Sequence, residues 1–205
     1  MRYQPDHKER TRKQIIATAA NLFRRDGVVA TGVVTLMKGV GLTQGGFYAH
    51  FASKEALIRE AATAAVLETS TALEKIVTDA GKSTSGLKVL INAYLSETHL
   101  KHVERGCAIA AVGAELAREP TETREAVMLA ADRIVSLIAN HLPEDTLDPR
   151  GVAQSVFGLL SGTLQLARLT ANPARASEIL ASGRYSALVL CGVPTSFPQP
   201  QRPPH

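Results

Sequence analysis

The sequence predicts an all-α fold of about nine helices, with a short basic module at the N-terminus and a larger helical bundle after it. Apolar residues recur at helical spacing through most of the 205-residue chain. Runs of β-branched residues are short and do not alternate with polar residues, as they would in half-buried strands. Positive charge is concentrated at one end, because residues 1–58 carry nine Lys and Arg against four Asp and Glu. This charge favours a polyanionic partner for the first module, although a solvated basic tail would give the same count.

Composition limits the class of protein. Hydrophobic residues make up 45% of the chain and charged residues 20%, which is enough apolar surface for a folded core. No run of apolar residues is long enough to span a membrane, and the polar start has no apolar signal-peptide core, so a cytoplasmic protein is expected. Cys107 and Cys191 do not make a disulfide framework and are expected to be thiols.

The first module is predicted to contain three helices. The first covers residues 8–25 and ends at Asp26-Gly27, where glycine can take a left-handed cap conformation. The second covers residues 33–39 and is followed by the turn Gly41-Leu42-Thr43. The third runs from an N-cap at Thr43 to about residue 51. Phe47 and Phe51 lie four residues apart in it and are predicted to face the core.

The rest of the chain is predicted to hold six more helices. Ser53 is expected to cap a long helix that runs to about Asp79 or Ala80, and residues 80–86 form a loop by composition. The other five helices are predicted over residues 87–103, 107–118, 121–142, 150–170 and 174–193. The proline-rich tail, residues 194–205, is predicted to be disordered.

The second and third helices form a helix-turn-helix pattern, in which the second helix of the motif enters the DNA major groove. Gly45 and Gly46 each cost a helix about 1 kcal/mol, and close approach of the backbone to DNA would explain them. Gln44 can pair bidentately with adenine. The phosphate partners predicted by residue type are Thr35, Thr43, Tyr48, His50 and Lys54. The alternative is a buried helical hairpin with no role in DNA binding.

The residues of this module resemble those of the TetR-type transcriptional repressors over residues 12–58. The stretch IIATAANLFRRDGVVATGVVTLMKGVGLTQGGFYAHFASKEALI carries the pattern. Its matching positions are Ala19-Ala20, Phe23, Gly27, the Gly41-Leu42-Thr43 turn, Tyr48, His50-Phe51, Lys54 and Leu57. The later segment GCAIAAVGAEL, residues 106–116, resembles a Gly-Cys helix of one branch of that family. Gly32 departs from the family, which often has Ser or Thr there. The change would either loosen the start of the second helix or cost a phosphate contact, which Thr35 could still supply.

The resemblance implies a domain division and a function. Residues 1–52 would be the DNA-binding domain, and residues 53–193 the ligand-binding and dimerisation domain. The protein would be a ligand-responsive repressor that binds palindromic double-stranded operator DNA as a homodimer and is released by an unknown small-molecule effector. TetR-like proteins dimerise through a four-helix bundle of their last two helices. Here residues 152–169 are apolar with small Gly158, Ser161 and Gly162, although such helices could equally be a monomer's core.

The resemblance also places an effector pocket among the helices of residues 87–142. The small, apolar content of this region favours a modest apolar or electrophilic ligand. Each candidate lining residue could instead be ordinary core packing; the candidates are Tyr94, Thr98, His102, Cys107, Phe157 and Leu164.

Two further alternatives stay open for the function. Cys107 follows Arg105 at a helix N-terminus, which are features of a reactive thiol, so the repressor could sense oxidants or electrophiles; a small buried residue is the simpler interpretation. The protein could also bind DNA without any ligand.

Metal and enzyme chemistry are not predicted. His99 and His102, with Glu104 and Cys107 nearby, make a conceivable metal set, but two histidines at a helix end are more often solvated, so no metal is predicted. The sequence has no Ser/Cys-His-acid motif and no phosphate loop. Neither a cofactor nor enzymatic activity is therefore expected.

Overall fold

The computed structural model describes residues 5–81 and 85–195, and within these ranges the chain is helical without any strand. The all-α prediction is confirmed. The α-helices of the described ranges are α1 (Pro5–Asp26), α2 (Val33–Gly39), α3 (Lys54–Asp79), α4 (Gly86–Tyr94), α5 (Glu97–Lys101), α6 (Ala108–Leu116), α7 (Thr121–Ala139), α8 (Pro149–Leu169) and α9 (Pro173–Leu190). Two 3₁₀ helices cover Gln44–Ala49 and Val103–Arg105. Most of the predicted disordered tail, from residue 196 onward, lies outside the described residues.

The chain divides into two compact units. The first unit contains the chain up to Thr71 together with His102–Arg133, and the second contains Ala72–Lys101 together with the chain from Ile134 onward. Helices α3 and α7 each begin in the first unit and end in the second. None of the described helices combines the length and the apolar character that a membrane span requires.

Local cap signals set many of the helix ends. Gly27 ends α1 with a φ of +98°, and its N–H donates to the carbonyl of Phe23 at 3.0 Å. Ser53 Oγ accepts the N–H of Ala56 at 3.1 Å at the start of α3, as predicted. At the start of α9, Asn172 Oδ1 accepts two N–H groups, and Pro173 follows as the first helical residue.

The helix predicted over residues 87–103 is wrong, because three short helices occupy that range. Helix α4 ends at Tyr94, because its C-cap residue Leu95 has a ψ of 44° that is not helical, and Ser96 Oγ then accepts the N–H of His99 to begin α5. The 3₁₀ helix Val103–Arg105 completes the range. Apolar spacing continues across the break, so periodicity alone did not reveal it.

The predicted α-helix over residues 43–51 is also corrected. The segment is a 3₁₀ helix, Gln44–Ala49, which closes tighter turns than an α-helix. Thr43 has extended backbone angles before it, but its side chain makes no capping hydrogen bond, contrary to the prediction. The glycine pair disfavours a longer α-helix here, and the turn instead ends with the N–H of His50 donating to the carbonyl of Phe47 at 2.9 Å.

The first unit has a close-packed core beneath the helix-turn-helix. Ile15, Ala19 and Phe23 of α1 are buried, as their spacing predicts. Leu36 and Met37 of α2 are buried as well, and so are the aromatic side chains of Phe47 and Phe51, as predicted. The Phe47 and Phe51 rings stack with their centroids 5.6 Å apart. This packing fixes the 3₁₀ helix from its inner side and leaves its other side to solvent.

Candidate nucleic-acid interface

The turn between α2 and the 3₁₀ helix holds the two segments in a defined arrangement. Gly41 has a φ of +74°, a conformation that favours glycine, and the N–H of Leu42 donates to the carbonyl of Met37 at 2.8 Å. The N–H of Gly46 then donates to the carbonyl of Thr43 at 3.0 Å. The backbone of the turn is therefore fixed by its own hydrogen bonds.

Gly45 and Gly46 are not required by the fold itself. Neither has a positive φ. A Cβ added to Gly45 would meet no other atom within 4 Å, and one added to Gly46 would meet only Met37 Cε, at the ordinary contact distance of 3.7 Å. Because alanine would fit at both positions at no steric cost inside the chain, the reason for glycine must lie in conformational flexibility or outside the chain.

The predicted DNA-contacting residues surround these glycines and reach solvent to different degrees. Thr35, Thr43, Gln44, Gly45 and Tyr48 are exposed. Gly46, His50 and Lys54 are half-buried. Lys54 makes no ion pair with any side chain in the described ranges, and neither does Lys38 at the end of α2, which sequence reasoning did not single out. This surface is polar and positively charged.

Arg12 of α1, which sequence reasoning also missed, binds the end of the 3₁₀ helix. Its Nε donates to the carbonyl of His50 at 3.3 Å, and its Nη2 lies 2.6 Å from Glu60 Oε1 of α3. The guanidinium also lies 4.7 Å from the centroid of the Phe51 ring. One side chain thus connects α1, the end of the 3₁₀ helix Gln44–Ala49 and α3. Its position after an Arg-Thr pair on an amphipathic helix gave no signal of this role.

Arg24 joins the end of α1 to two other segments of the first unit, from a buried position. Its Nη1 donates to Glu68 Oε2 of α3 at 2.9 Å and to the carbonyls of Ala65 and Gly106 at 3.4 Å. Its Nη2 donates to Asn21 Oδ1 at 2.7 Å, while Nε is buried with no hydrogen-bond partner among the described residues. The side chain is 1% exposed.

Glu115 of α6 holds the turn between α1 and α2. Its carboxylate accepts the N–H of Val29 at 2.9 Å. It also lies against Gly27, where an added Cβ would come within 2.9 Å of Glu115 Oε1. Near its C-terminal end, helix α6 therefore contacts the turn between α1 and α2. Just before the N-terminal end of α6, the carbonyl of Gly106 accepts a hydrogen bond from Arg24.

Comparison with protein-family models decides the class of this module. The model described as "Bacterial regulatory proteins, tetR family" matches residues 15–61, and the one described as "Tetracyclin repressor-like, C-terminal domain" matches residues 83–182. The chain belongs to the TetR family. It is therefore a DNA-binding transcription regulator with a helix-turn-helix, and members of this family are generally transcription factors without enzymatic activity.

Solved structures of TetR-family proteins share the fold at low sequence identity. The reduced form of NemR from E. coli is 21% identical with a TM-score of 0.70, and the match covers 93% of this chain and 99% of that one. A TetR-family regulator from Cytophaga hutchinsonii is 22% identical with a TM-score of 0.72, over 95% and 100%. The fatty acid degradation regulator FadR from Bacillus halodurans is 19% identical with a TM-score of 0.65, over 94% and 97%. No curated protein sequence matches the chain.

The residues predicted to line an effector pocket of this TetR-family chain lie in both units. In the second unit, Tyr94 is buried, its Oη lies 3.1 Å from Ser161 Oγ, and its ring meets Phe157 edge-on at 6.2 Å. Leu164 is buried too, whereas Thr98 is exposed. In the first unit, Cys107 is buried and His102 is exposed.

The second unit also has a solvent-open groove of about 690 Å³. None of the six predicted effector residues lines it; its lining residues are Glu74, Val77, Thr78, Gly81, Gly86, Leu137 and His141.

Both cysteines, Cys107 and Cys191, are buried free thiols. Cys107 is the N-cap residue of α6 and is 0% exposed, so its sulfur is shielded from reagents in solution. Burial raises the pKa of Cys191 to about 11, which keeps that thiol protonated. Across the described residues, no three His, Cys, Asp or Glu side chains are grouped so that they could hold a metal ion.

Proposed function

We propose that the chain is a repressor that binds a palindromic operator as a homodimer and is released by a small-molecule effector. Residues 1–52 would bind DNA, and residues 53–193 would dimerise and hold the effector. The observation that carries the DNA-binding part is the glycine pair in the exposed 3₁₀ helix. Neither glycine has a positive φ, and an added Cβ would clash with nothing in the chain at either position, so the fold itself does not need glycine there. A close approach to a sugar-phosphate wall or a thymine methyl supplies that need.

The experiment that tests the proposal selects DNA by binding. Purified protein is mixed with random and genomic duplex fragments, and the retained fragments are sequenced. Recovery of one short palindrome supports a dimeric operator-binding protein, because half-sites about one helical turn apart mirror a two-fold axis. No enrichment above background would contradict the proposal. Where a palindrome is recovered, the functions of the genes beside it indicate which classes of effector to test for release of the protein from DNA.

Replacing Gly45 with alanine should separate DNA binding from stability. We expect the free energy of unfolding to stay the same or rise by up to about 1 kcal/mol, because alanine restricts the unfolded chain and the added Cβ meets no atom. We expect operator affinity to fall about tenfold or more, since the methyl group would occupy the space of the DNA backbone. Urea unfolding and fluorescence anisotropy with the selected operator measure the two effects.

Gly113→Ala is the matched control for that variant. Gly113 lies in α6 of the same unit, outside the helix-turn-helix, and its added Cβ would make only an ordinary contact with Ile109 at 3.7 Å. It should leave operator affinity unchanged. Equal affinity of Gly45→Ala and the unsubstituted protein would remove the argument from close approach.

The dimer proposal rests on one face of α8. Gly158 and Gly162 are exposed, and a Cβ on either would meet nothing within 4 Å, so the chain's own packing does not explain them. Leu166 and Leu169 continue the same face and are 56% and 83% exposed. Small residues followed by exposed leucines suit close packing against a second copy. Ser161, grouped with these glycines by sequence, instead lies on the buried side and contacts Tyr94.

Replacing Gly162 with arginine should produce a folded monomer. The side chain enters open space in one chain but would place a charge and about seven heavy atoms in the proposed interface. Sedimentation equilibrium should show a dimer for the unsubstituted protein and a monomer for the variant, with equal helix content by circular dichroism. Met128→Arg, at an apolar position of α7 that is 57% exposed, is the control and should remain dimeric. A dimeric Gly162→Arg protein would place the interface elsewhere.

Release by an effector requires different affinities for two conformations. A ligand can shift the equilibrium between DNA-competent and DNA-incompetent dimers only by the difference of its affinities for them. Helix α3 begins a few residues after the 3₁₀ helix Gln44–Ala49 in the first unit and ends in the second unit. It is therefore suited to transmit a conformational change from the effector to the helix-turn-helix. We propose the cytoplasm as the location, because the operator must be reached there.

A further inference from the structure

Helix α1 presents a basic hollow that the helix-turn-helix does not account for. The hollow has a volume of about 370 Å³ and is lined by Lys8, Glu9, Arg12 and Lys13. Lys13 pairs with Glu9 at 3.0 Å, and Arg12 pairs with Glu60 at 2.6 Å. Lys8 makes no ion pair with any side chain that the structure describes. The two acids therefore leave the hollow with an excess of positive charge.

This hollow lies next to the end of the 3₁₀ helix Gln44–Ala49. Arg12 Nε donates to the carbonyl of His50, the residue that follows the 3₁₀ helix. The Nδ1 atom of His50 is buried and has no hydrogen-bond partner among the described residues. Burial lowers the pKa of His50, and the positive charges of Lys8 and Arg12 lower it further. Both cations of α1 are thus close enough to act on the imidazole.

We propose that Lys8, Arg12 and His50 form one binding site for a backbone phosphate of DNA, and that His50 takes up a proton when the phosphate binds. The inference rests on the proposed DNA-binding function and adds α1 to the interface, with a proton as a second ligand. In the free protein the cations of α1 repel a proton on His50. A phosphate beside them offsets that repulsion and accepts a hydrogen bond from Nε2 of the imidazolium, because Nδ1 is buried.

The direction of the pH effect follows from the charges around His50. Lys8 and Arg12 of α1 act on the imidazole directly, and Glu60 of α3 pairs with Arg12. Lys13 and Glu9 line the same hollow and pair with each other. The phosphate raises the pKa of His50 in the complex above its value in the free protein. The complex then binds more protons than the free protein and free DNA together. Affinity for DNA therefore rises as the pH falls through the pKa that His50 has in the complex.

The test measures binding to two duplexes of equal length, the selected operator and an unrelated sequence, at fixed ionic strength. We expect the unsubstituted protein to bind both about three- to tenfold more tightly at pH 6 than at pH 8, since phosphate contacts do not depend on sequence. His50→Gln should lose this pH dependence. Lys8→Gln should weaken binding to both duplexes and reduce the slope of log K against log salt by about one.

Lys88→Gln is the control, because Lys88 is an exposed lysine of α4 in the second unit. It should leave affinity, pH dependence and salt slope unchanged. The inference is overturned if His50→Gln retains the full pH dependence or if Lys8→Gln behaves like Lys88→Gln. The proposed function has a separate failure, in which the protein shows these pH and salt effects on both duplexes but has no preference for any sequence.

Discussion

Replacing Arg24 with alanine is expected to lower the free energy of unfolding by about 2–4 kcal/mol. The guanidinium is buried and donates to groups of α1, α3 and the segment before α6, at Asn21, Glu68 and Gly106. Its removal leaves a cavity and leaves the carbonyl of Gly106 without that donor. Urea denaturation followed by circular dichroism measures the change.

Arg25→Ala is a matched control one residue along the same helix. Arg25 is exposed, and its one ion pair within the described residues is with its neighbour Asp26, at 2.8 Å. An exposed pair of this kind contributes little, so we expect a loss of about 0.5 kcal/mol or less. Arg24→Met separates two causes, since methionine fills much of the space but cannot donate hydrogen bonds. If packing alone matters, methionine restores most of the lost stability; if the donors matter, it restores little. Equal losses for Arg24→Ala and Arg25→Ala would contradict the argument.

Arg24 and Arg25 also show where sequence reasoning stops. They are adjacent, of the same residue type, and both lie in the last turn of α1. Local sequence gives them the same role, a favourable charge at a helix C-terminus. Only the approach of Glu68 and Gly106, which are distant in sequence, makes one of them a buried connector. The same holds for Arg12, whose partners His50 and Glu60 come from other elements.

Helix ends were predictable where a local side chain determines them. Ser53 and Gly27 act within three or four residues of their own positions, and the structure places the helix ends there. The break at Leu95 has a local cap on its C-terminal side, where Ser96 Oγ accepts the N–H of His99, but apolar spacing runs across it and no local residue marks the end of α4. Its carbonyl accepts from Arg184 Nη1 of α9 at 2.6 Å, a tertiary partner that satisfies a backbone group freed by the break. Tertiary contact thus explains what the local pattern could not.

The same distinction between local signals and tertiary contacts applies to the candidate site. The exposed position of Gln44 and Gly45 could be predicted, because Phe47 and Phe51 fix the inner side of the segment by their spacing. The effector residues could not be judged from sequence, since a tyrosine that lines a pocket and one that fills a core have the same local pattern. In the structure Tyr94 contacts Ser161 and Phe157 from α8, and this depends on how two helices far apart in sequence pack together.

Acid should destabilise the protein through His99, in the second unit. The carbonyl of Tyr94 can only accept, so His99 Nδ1 carries a proton and donates to it at 2.7 Å, and Arg168 Nη2 donates to the carbonyl of His99 at 2.8 Å. The pKa of His99 is lowered from an ordinary value of 6.5 to about 4, mainly by burial; the hydrogen bond to the Tyr94 carbonyl opposes this effect, and the charge of Arg168 adds to it. His99 is thus held neutral in the fold.

The sign follows from proton binding in the two states. Between pH 6.5 and about 4 the unfolded chain protonates this histidine and the folded chain does not, so stability falls as the pH falls through that window. At a differential of about 1.4 kcal/mol per pKa unit, the loss from His99 between pH 7 and pH 4.5 is about 2 to 3 kcal/mol.

The measurement compares urea unfolding at pH 7 and pH 4.5 for three proteins. His99→Asn should be less stable than the unsubstituted protein at pH 7, because it loses a buried ring, but its further loss on acidification should be smaller by about 2 to 3 kcal/mol. His141→Asn, at an exposed histidine of the same unit, should lose as much on acidification as the unsubstituted protein. Carboxylates that titrate in this range contribute equally to all three, so the difference isolates His99. If His99→Asn and His141→Asn show the same acid loss, His99 is not held neutral by burial.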